Sequence, residues 1–264
     1  MAIAEVQVNS LGELLDKVTP GEPDQITRRR RDSGVYRGVN VVGHLLTSLD
    51  QLGGLNPPHT KAALEGHLLR NFIRYSRPYL STPPANEWEL LVTAQHYGLP
   101  TRLLDWTNSP LIAAHFATVD GGEPRDRVVW RLDWRQLHRA FKLPELAFMV
   151  QDLENLLRQD HPFTPWKLFA RRCDEPAFAC MFEPPSIDER IVAQAAVFTL
   201  CSDTSQSFDD FLKQHDLETA LTKFVIPAAA VGRVRDQLDL ASVDERRIFP
   251  DLGGVAAQLR RYYS

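Results

Sequence analysis

Residues 94–117 read AQHYGLPTRLLDWTNSPLIAAHFA, and the fold turns on what the chain does on either side of Gly98 and Pro100. Upstream, EWELLVTAQHYG at 87–98 has helical periodicity, which glycine and proline end. Downstream, Pro110 suits a first helical position, where its missing N–H costs nothing, with Asn108 or Ser109 as the cap. Between the two helices apolar and polar residues alternate. Leu99, Leu103 and Leu104 would anchor this segment to a core, while Gln95, His96 and Thr107 point into a pocket. A polar set this dense is costly unless mutually satisfied, so Arg102 and Asp105 are expected to be buried and hydrogen-bonded, to each other or to the loop backbone. Trp106 is either a core residue or a stacking platform.

Outward from this stretch, 60–77 (TKAALEGHLLRNFIRYSR) is an amphipathic helix with a basic polar face. Ser10 followed by Glu13 is a capping box for a helix over 10–18. Val35 to Gly38 and DRVVWRL at 126–132 read as strands. RIVAQAAVFTL at 190–200 reads as one long strand or a strand pair by its β-branched and aromatic content. LTKFVIP ends a further strand at Pro227, and a helix and a terminal helix follow. Residues 134–185 are the least legible, with short helical pieces such as QDLENLLRQ. The expected class is α+β: a single domain of mixed or mostly antiparallel small sheets flanked by helices.

The 264 residues, 44% hydrophobic and 24% charged, are ordinary for a globular chain and bury a sizeable core. No stretch approaches the ~18 apolar residues of a membrane span. The acidic N-terminus does not resemble a secretory leader, so the chain reads as cytoplasmic. Cys173, Cys180 and Cys201 lack paired spacing, so neither a disulfide framework nor a metal site is expected. The net charge of −4 speaks against general nucleic-acid binding, although Arg28 to Arg31 and Arg171 with Arg172 form local clusters.

YRG at 36–38, AQHYGLPTRLLDWT at 94–107 and RIVAQAAVFT at 190–199, with KFVIP at 223–227 and IFPDLGG at 248–254, stand in the order and character of the FRG-domain family. The chain resembles that family over about residues 30–256, with 1–29 as an N-terminal helical extension and 257–264 as the end of a C-terminal helix. Tyrosine replaces the name-giving phenylalanine and keeps the ring. More distantly, an aromatic-Arg-Gly strand end, then a strand entering an A-x-x-F-A helix, is similar to ADP-ribosyltransferases of the arginine-serine-glutamate type. That resemblance implies an ADP-ribosyltransferase-like core and NAD as substrate. It also implies a macromolecular acceptor, protein or nucleic acid, with a partner protein and a bacterial toxin or defence role among the contexts such an activity suits.

Under that reading Arg37 grips phosphate and ribose oxygens, and Gly38 lets the backbone approach the ligand. Gln95, Thr101, Arg102, Asp105, Trp106 and Thr107 complete the nucleotide site, and His96 is a candidate acid or base. The carboxylate that stabilises a ribosyl cation has to come from the start of the third motif, where Glu189 is nearest and Gln194 is what the FRG pattern singles out. Two alternatives stay open. One is a non-catalytic nucleotide- or nucleic-acid-binding module using Arg37 and the arginine run. The other is a hydrolase using His96 with Asp105, although no GxSxG or HExxH motif is present.

Overall fold

Ser10 accepts from the Glu13 N–H and Ser109 from the Ile112 N–H, so both expected caps form; Thr60 and Asn86 cap two further helices in the same way. The computed structural model of the chain describes all residues except 1, 20, 24, 26, 27, 31, 54–58, 81, 120–123, 156–162, 172–174 and 264. Arg31, Arg172, Cys173 and the end of QDLENLLRQ therefore lie outside the described residues. In chain order the elements are β1 (Ala4–Gln7), α1 (Leu11–Val18), β2 (Gly34–Val39), α2 (Lys61–Ser76), α3 (Glu87–His96), β3 (Leu103–Thr107) and α4 (Pro110–Thr118). Then come β4 (Arg127–Asp133), α5 (Trp134–Ala140), β5 (Phe148–Met149), α6 (Val150–Glu154), α7 (Pro165–Phe169), β6 (Ala179–Glu183) and α8 (Glu189–Ala193). The chain ends with β7 (Ala196–Cys201), α9 (Phe208–Gln214), β8 (Leu221–Ile226), α10 (Val231–Leu240), α11 (Glu245–Ile248) and α12 (Leu252–Tyr262). No helix among the described residues is long and apolar enough to cross a membrane.

The described strands form a single eight-stranded sheet in the order β1-β8-β4-β2-β3-β7-β6-β5, rather than several small ones. Its inner pairs are antiparallel, and the edge pairs β1–β8 and β5–β6 are parallel. The class is α+β, as the sequence pattern predicts. The N-terminal segment, expected as a helical extension, holds a strand as well as α1, and that strand extends the sheet through Ala4↔Thr222.

Strand alternation divides the core. Val35, Leu104, Trp106, Val128, Trp130 and Val197 pack on one face beneath α5 and α9. On the other face, Tyr36, Val129 and Phe224 meet α1, α4 and α10, and Leu103, Phe198 and Leu200 meet α2, α3, α6 and α7. Long antiparallel ladders join β4 to β2 and β7 to β3, but β2 and β3 share only the pair Tyr36↔Thr107. The sheet splays there, and the opening positions the site.

One expectation about 190–200 is corrected. Asp188 caps a one-turn helix over Glu189–Ala193, accepting from the Ile191 N–H at 3.0 Å, and the strand begins only at Ala196. The turn between them places Ala195 at φ 44°, in the left-handed region that a Cβ disfavours. Ala195→Gly is expected to leave the fold intact and raise stability by about 1 kcal/mol, read in urea melts, because glycine adopts that conformation freely. Unchanged or lower stability would show that the Ala195 methyl contributes more packing than its backbone costs.

His115 on α4 is fully buried, and Arg235 donates to its Nδ1 at 3.0 Å. Burial, and then the Arg235 charge, push the imidazole down from 6.5 to about 4. Unfolded chain takes up this proton near 6.5 and folded chain resists it until about 4. Stability is therefore expected to fall as pH drops through that window, by roughly 3 kcal/mol at its lower end, and to be insensitive to this group above it. Urea melts across the window check this, with His115→Gln expected to flatten the slope.

Candidate functional site

The splay between β2 and β3 opens into a cleft of about 860 Å3, walled by the end of α3, by Phe116 of α4 and by Arg190, Ile191 and Gln194 of the α8 turn. Cross-strand pairing of Arg37 with Trp130 sets its Cβ on the α5–α9 face. Its side chain nevertheless reaches β3, where Nη1 donates to the Asp105 carbonyl at 2.7 Å. A side chain thus serves β3 in the stretch where the two backbones do not pair. The same Nη1 lies 3.7 Å from the Asp105 carboxylate. Burial lowers the Arg37 pKa, with Asp105 opposing that shift. An arginine does not lose its proton, so Arg37 stays a cation, and its side chain, 22% exposed, keeps part of its surface open to the cleft.

Asp105 is held by a relay. The buried Thr101 hydroxyl donates to Gln95 Oε1 at 2.6 Å, which fixes the amide orientation so that Nε2 donates to the Asp105 carboxylate at 3.0 Å. Thr101 itself is tied by its N–H to Ser48 Oγ at 3.1 Å. On the α3 side His96 Nε2 pairs with Asp188, and its ring meets Tyr97 edge-on. On the opposite wall Arg190 lies 4.7 Å over the Phe249 ring, which meets Phe116 edge-on. The cleft therefore presents two guanidiniums, an imidazole and one carboxylate against aromatic walls.

Of the residues singled out in the sequence, Arg37, Gly38, Gln95, His96, Asp105, Trp106, Thr107 and Gln194 line this cleft. Gln194 donates to the Ile248 carbonyl at 3.3 Å, joining the cleft wall to α11. Thr107 accepts from the Ser109 N–H and shapes the entry to α4. Trp106 is a core residue, 3% exposed, whose indole N–H donates to Thr199.

Four expectations are corrected. Arg102 does not pair with Asp105; fully buried, it pairs with Glu65 of α2, its Nε at 2.6 Å from one carboxylate oxygen and its N–H at 2.8 Å from the other. Asp105, expected to be buried, has a side chain 56% exposed, because it lies where the sheet opens. Gly38 lines the cleft, but the space on its Cβ side is filled by α4 rather than kept for a ligand: a Cβ there would lie 1.8 Å from the Ala113 carbonyl oxygen, so its lack of a side chain lets α4 pack onto β2. Glu189, exposed in the first turn of α8, is not among the cleft residues.

Sequence reasoning missed Arg190, Phe116 and the role of Asp188 as partner to His96. The signal was available in SIDERIVA, where an aspartate cap precedes Glu and Arg as at a helix start. One group among the described residues could hold a metal by proximity alone. The ligand atoms of His44, Asp209 and Asp210 lie within 4.8 Å of one another. Asp209 already accepts from the Leu45 N–H, and Asp210 from the Ser207 hydroxyl that caps α9.

Residues 32–125 match the family model described as the FRG domain. No curated protein and no solved structure matches the chain.

Proposed function

From a chain whose residues 32–125 are an FRG domain, we propose that the β2–β3 cleft is a nucleotide site, with NAD as its ligand and ADP-ribosyl transfer to a macromolecular acceptor as its reaction. A single observation carries this reading: Arg37, set where the sheet splays and bonded to the Asp105 carbonyl, lines a cleft of nucleotide size. Its planar fork makes bidentate, charge-assisted bonds to phosphate or ribose oxygens, and Arg190 adds a second cation. In the transfer the ribosyl C1′–nicotinamide bond breaks, nicotinamide leaves with the bonding pair, and an acceptor nucleophile bonds to C1′. The cationic transition state needs a carboxylate. In this cleft that role falls to Asp105, held by Gln95 and Thr101, rather than to Glu189. His96, paired with Asp188, takes the acceptor's proton.

Arg37→Lys is expected to weaken NAD binding in calorimetry by about tenfold or more, since an ammonium cannot make the paired contact; equal affinity would overturn the assignment. Asp105→Asn is expected to leave binding within a few-fold and to slow nicotinamide release about 100-fold. A second reading, binding without turnover, is favoured by the position of Glu189 outside the cleft. Tight NAD binding with no nicotinamide released on any acceptor would select it.

A further inference from the structure

A second cavity, of about 590 Å3, opens where the end of α4, the approach to β4, α10 and α12 come together. Among the described residues it shares no lining with the β2–β3 cleft. Five arginines line it, Arg125, Arg127, Arg235, Arg260 and Arg261, against one carboxylate among the described lining residues, Glu245. In a chain of net charge −4 that is a concave patch of the opposite sign. The acids nearby are engaged. Glu245 meets Arg261 through both oxygens, at 2.6 and 3.1 Å, and so does Asp239, at 2.8 and 2.7 Å. Asp126 accepts from the Ala228 N–H at 2.9 Å. Arg235 is left out of this exchange. It is 8% exposed, donates to His115 at 3.0 Å, and stands 3.7 Å from both Asp239 and Glu245, beyond hydrogen-bonding reach. Its Nε and Nη2 make no hydrogen bond among the described residues. Buried N–H groups are nearly always bonded, so an arginine left this way in the wall of a cavity of like charges points to an anion.

We propose that this cavity binds a small polyphosphate anion, its oxygens meeting the exposed Arg125 and Arg260 over the charge of Arg127 and Arg235, which are buried in the wall. Each guanidinium fork takes two oxygens of one phosphate group, so forks carried by the β4 approach, α10 and α12 suit a ligand with more than one such group. The rest of the lining is mainly aliphatic, from Val119, Pro124, Ala228, Val231 and Ala257, and no aromatic ring belongs to it among the described residues. A nucleobase therefore finds nothing to stack on. Recognition rests on the phosphates, and a nucleoside diphosphate gains nothing here over inorganic pyrophosphate. The aromatic-walled cleft and this cavity thus differ in chemistry, and neither assignment depends on the other.

The test is calorimetric titration of the full chain with inorganic pyrophosphate, orthophosphate and ADP at one fixed ionic strength. Pyrophosphate is expected to bind about tenfold or more tightly than orthophosphate, because it engages more than one fork. Arg125→Ala and Arg260→Ala, at exposed side chains whose loss leaves the fold intact, are each expected to weaken pyrophosphate about tenfold. Arg260→Lys, which keeps the charge and loses the fork, is expected to recover only part of that affinity. Arg37→Lys is expected to bind pyrophosphate as the wild type does, since Arg37 lines the other cleft. In that variant, where the cleft is impaired, ADP is expected to match pyrophosphate. No binding of pyrophosphate, equal binding of orthophosphate, unchanged affinity in both alanine variants, or loss of pyrophosphate in Arg37→Lys would each overturn the proposal. ADP binding far more tightly than pyrophosphate in Arg37→Lys would overturn it too, by showing that the base is recognised.

Discussion

Replacing Glu65 by alanine is expected to cost about 3–5 kcal/mol, because it leaves the Arg102 guanidinium charged and unpaired in the core. For a chain of this size that corresponds to a fall in Tm of roughly 6–20 °C. The geometry sets the magnitude. Glu65 is completely buried, and both of its oxygens are used, one by Arg102 Nε and one by the Arg102 N–H. Arg102 Nη1 goes on to the Ser202 carbonyl at 3.1 Å, so one pair ties α2 to the start of β3 and the end of β7. Glu65→Gln keeps an acceptor for the N–H while removing the charge, and is expected to cost less, about 1–3 kcal/mol. Urea melts of the two variants check the order. If alanine costs no more than glutamine, the acceptor that glutamine keeps contributes nothing and the lost charge carries the whole effect.

The second large effect is expected at Gly38. A methyl group there would meet the Ala113 carbonyl oxygen at 1.8 Å and the Ala117 nitrogen at 2.6 Å, both backbone atoms of α4 that cannot rotate away. Gly38→Ala therefore has to push the helix off the sheet, at about 3 kcal/mol or more. Phe116, a wall of the cleft, moves with that helix, so ligand binding is expected to fall along with Tm. Calorimetric unfolding and NAD titration of one preparation read both. A variant with wild-type Tm would mean that α4 can rise without loss and that the glycine is dispensable to packing. A variant with lowered Tm and unaltered binding would place Phe116 outside the binding surface.

Some of this was legible before any coordinates, and the division is physical. Helices over 61–76 and 87–96 announce themselves because capping and apolar spacing are local, and Ser10 and Ser109 cap as their neighbours dictate. The polar face of 95–107 that lines the cleft was readable from alternation. Partners distant in the chain were not. Glu65 is 37 residues from Arg102, and Asp32, which pairs with Arg131 and accepts from the Tyr36 hydroxyl, is 99 residues from that arginine. Residues 190–193 misled because Ile191 and Val192 carry strand propensity into a single helical turn, where the Asp188 cap decides instead. Gly38 misled for another reason: a glycine reports that something comes close, and its identity alone does not say whether that is a ligand or a helix.

The single pair joining β2 to β3 bears on mechanics as well as on the site. Strands β1, β8, β4 and β2 form one continuous ladder and β3, β7, β6 and β5 another, and across the seam the described backbone pairing is Tyr36↔Thr107, backed by the Arg37 bond to Asp105. A sheet jointed in this way transmits load poorly across the seam, and its halves can breathe as separate cooperative units. Any molecule lodged in the cleft touches both halves and acts as a splint. Part of its binding free energy then appears as suppressed opening, as slower amide exchange in strands it never contacts.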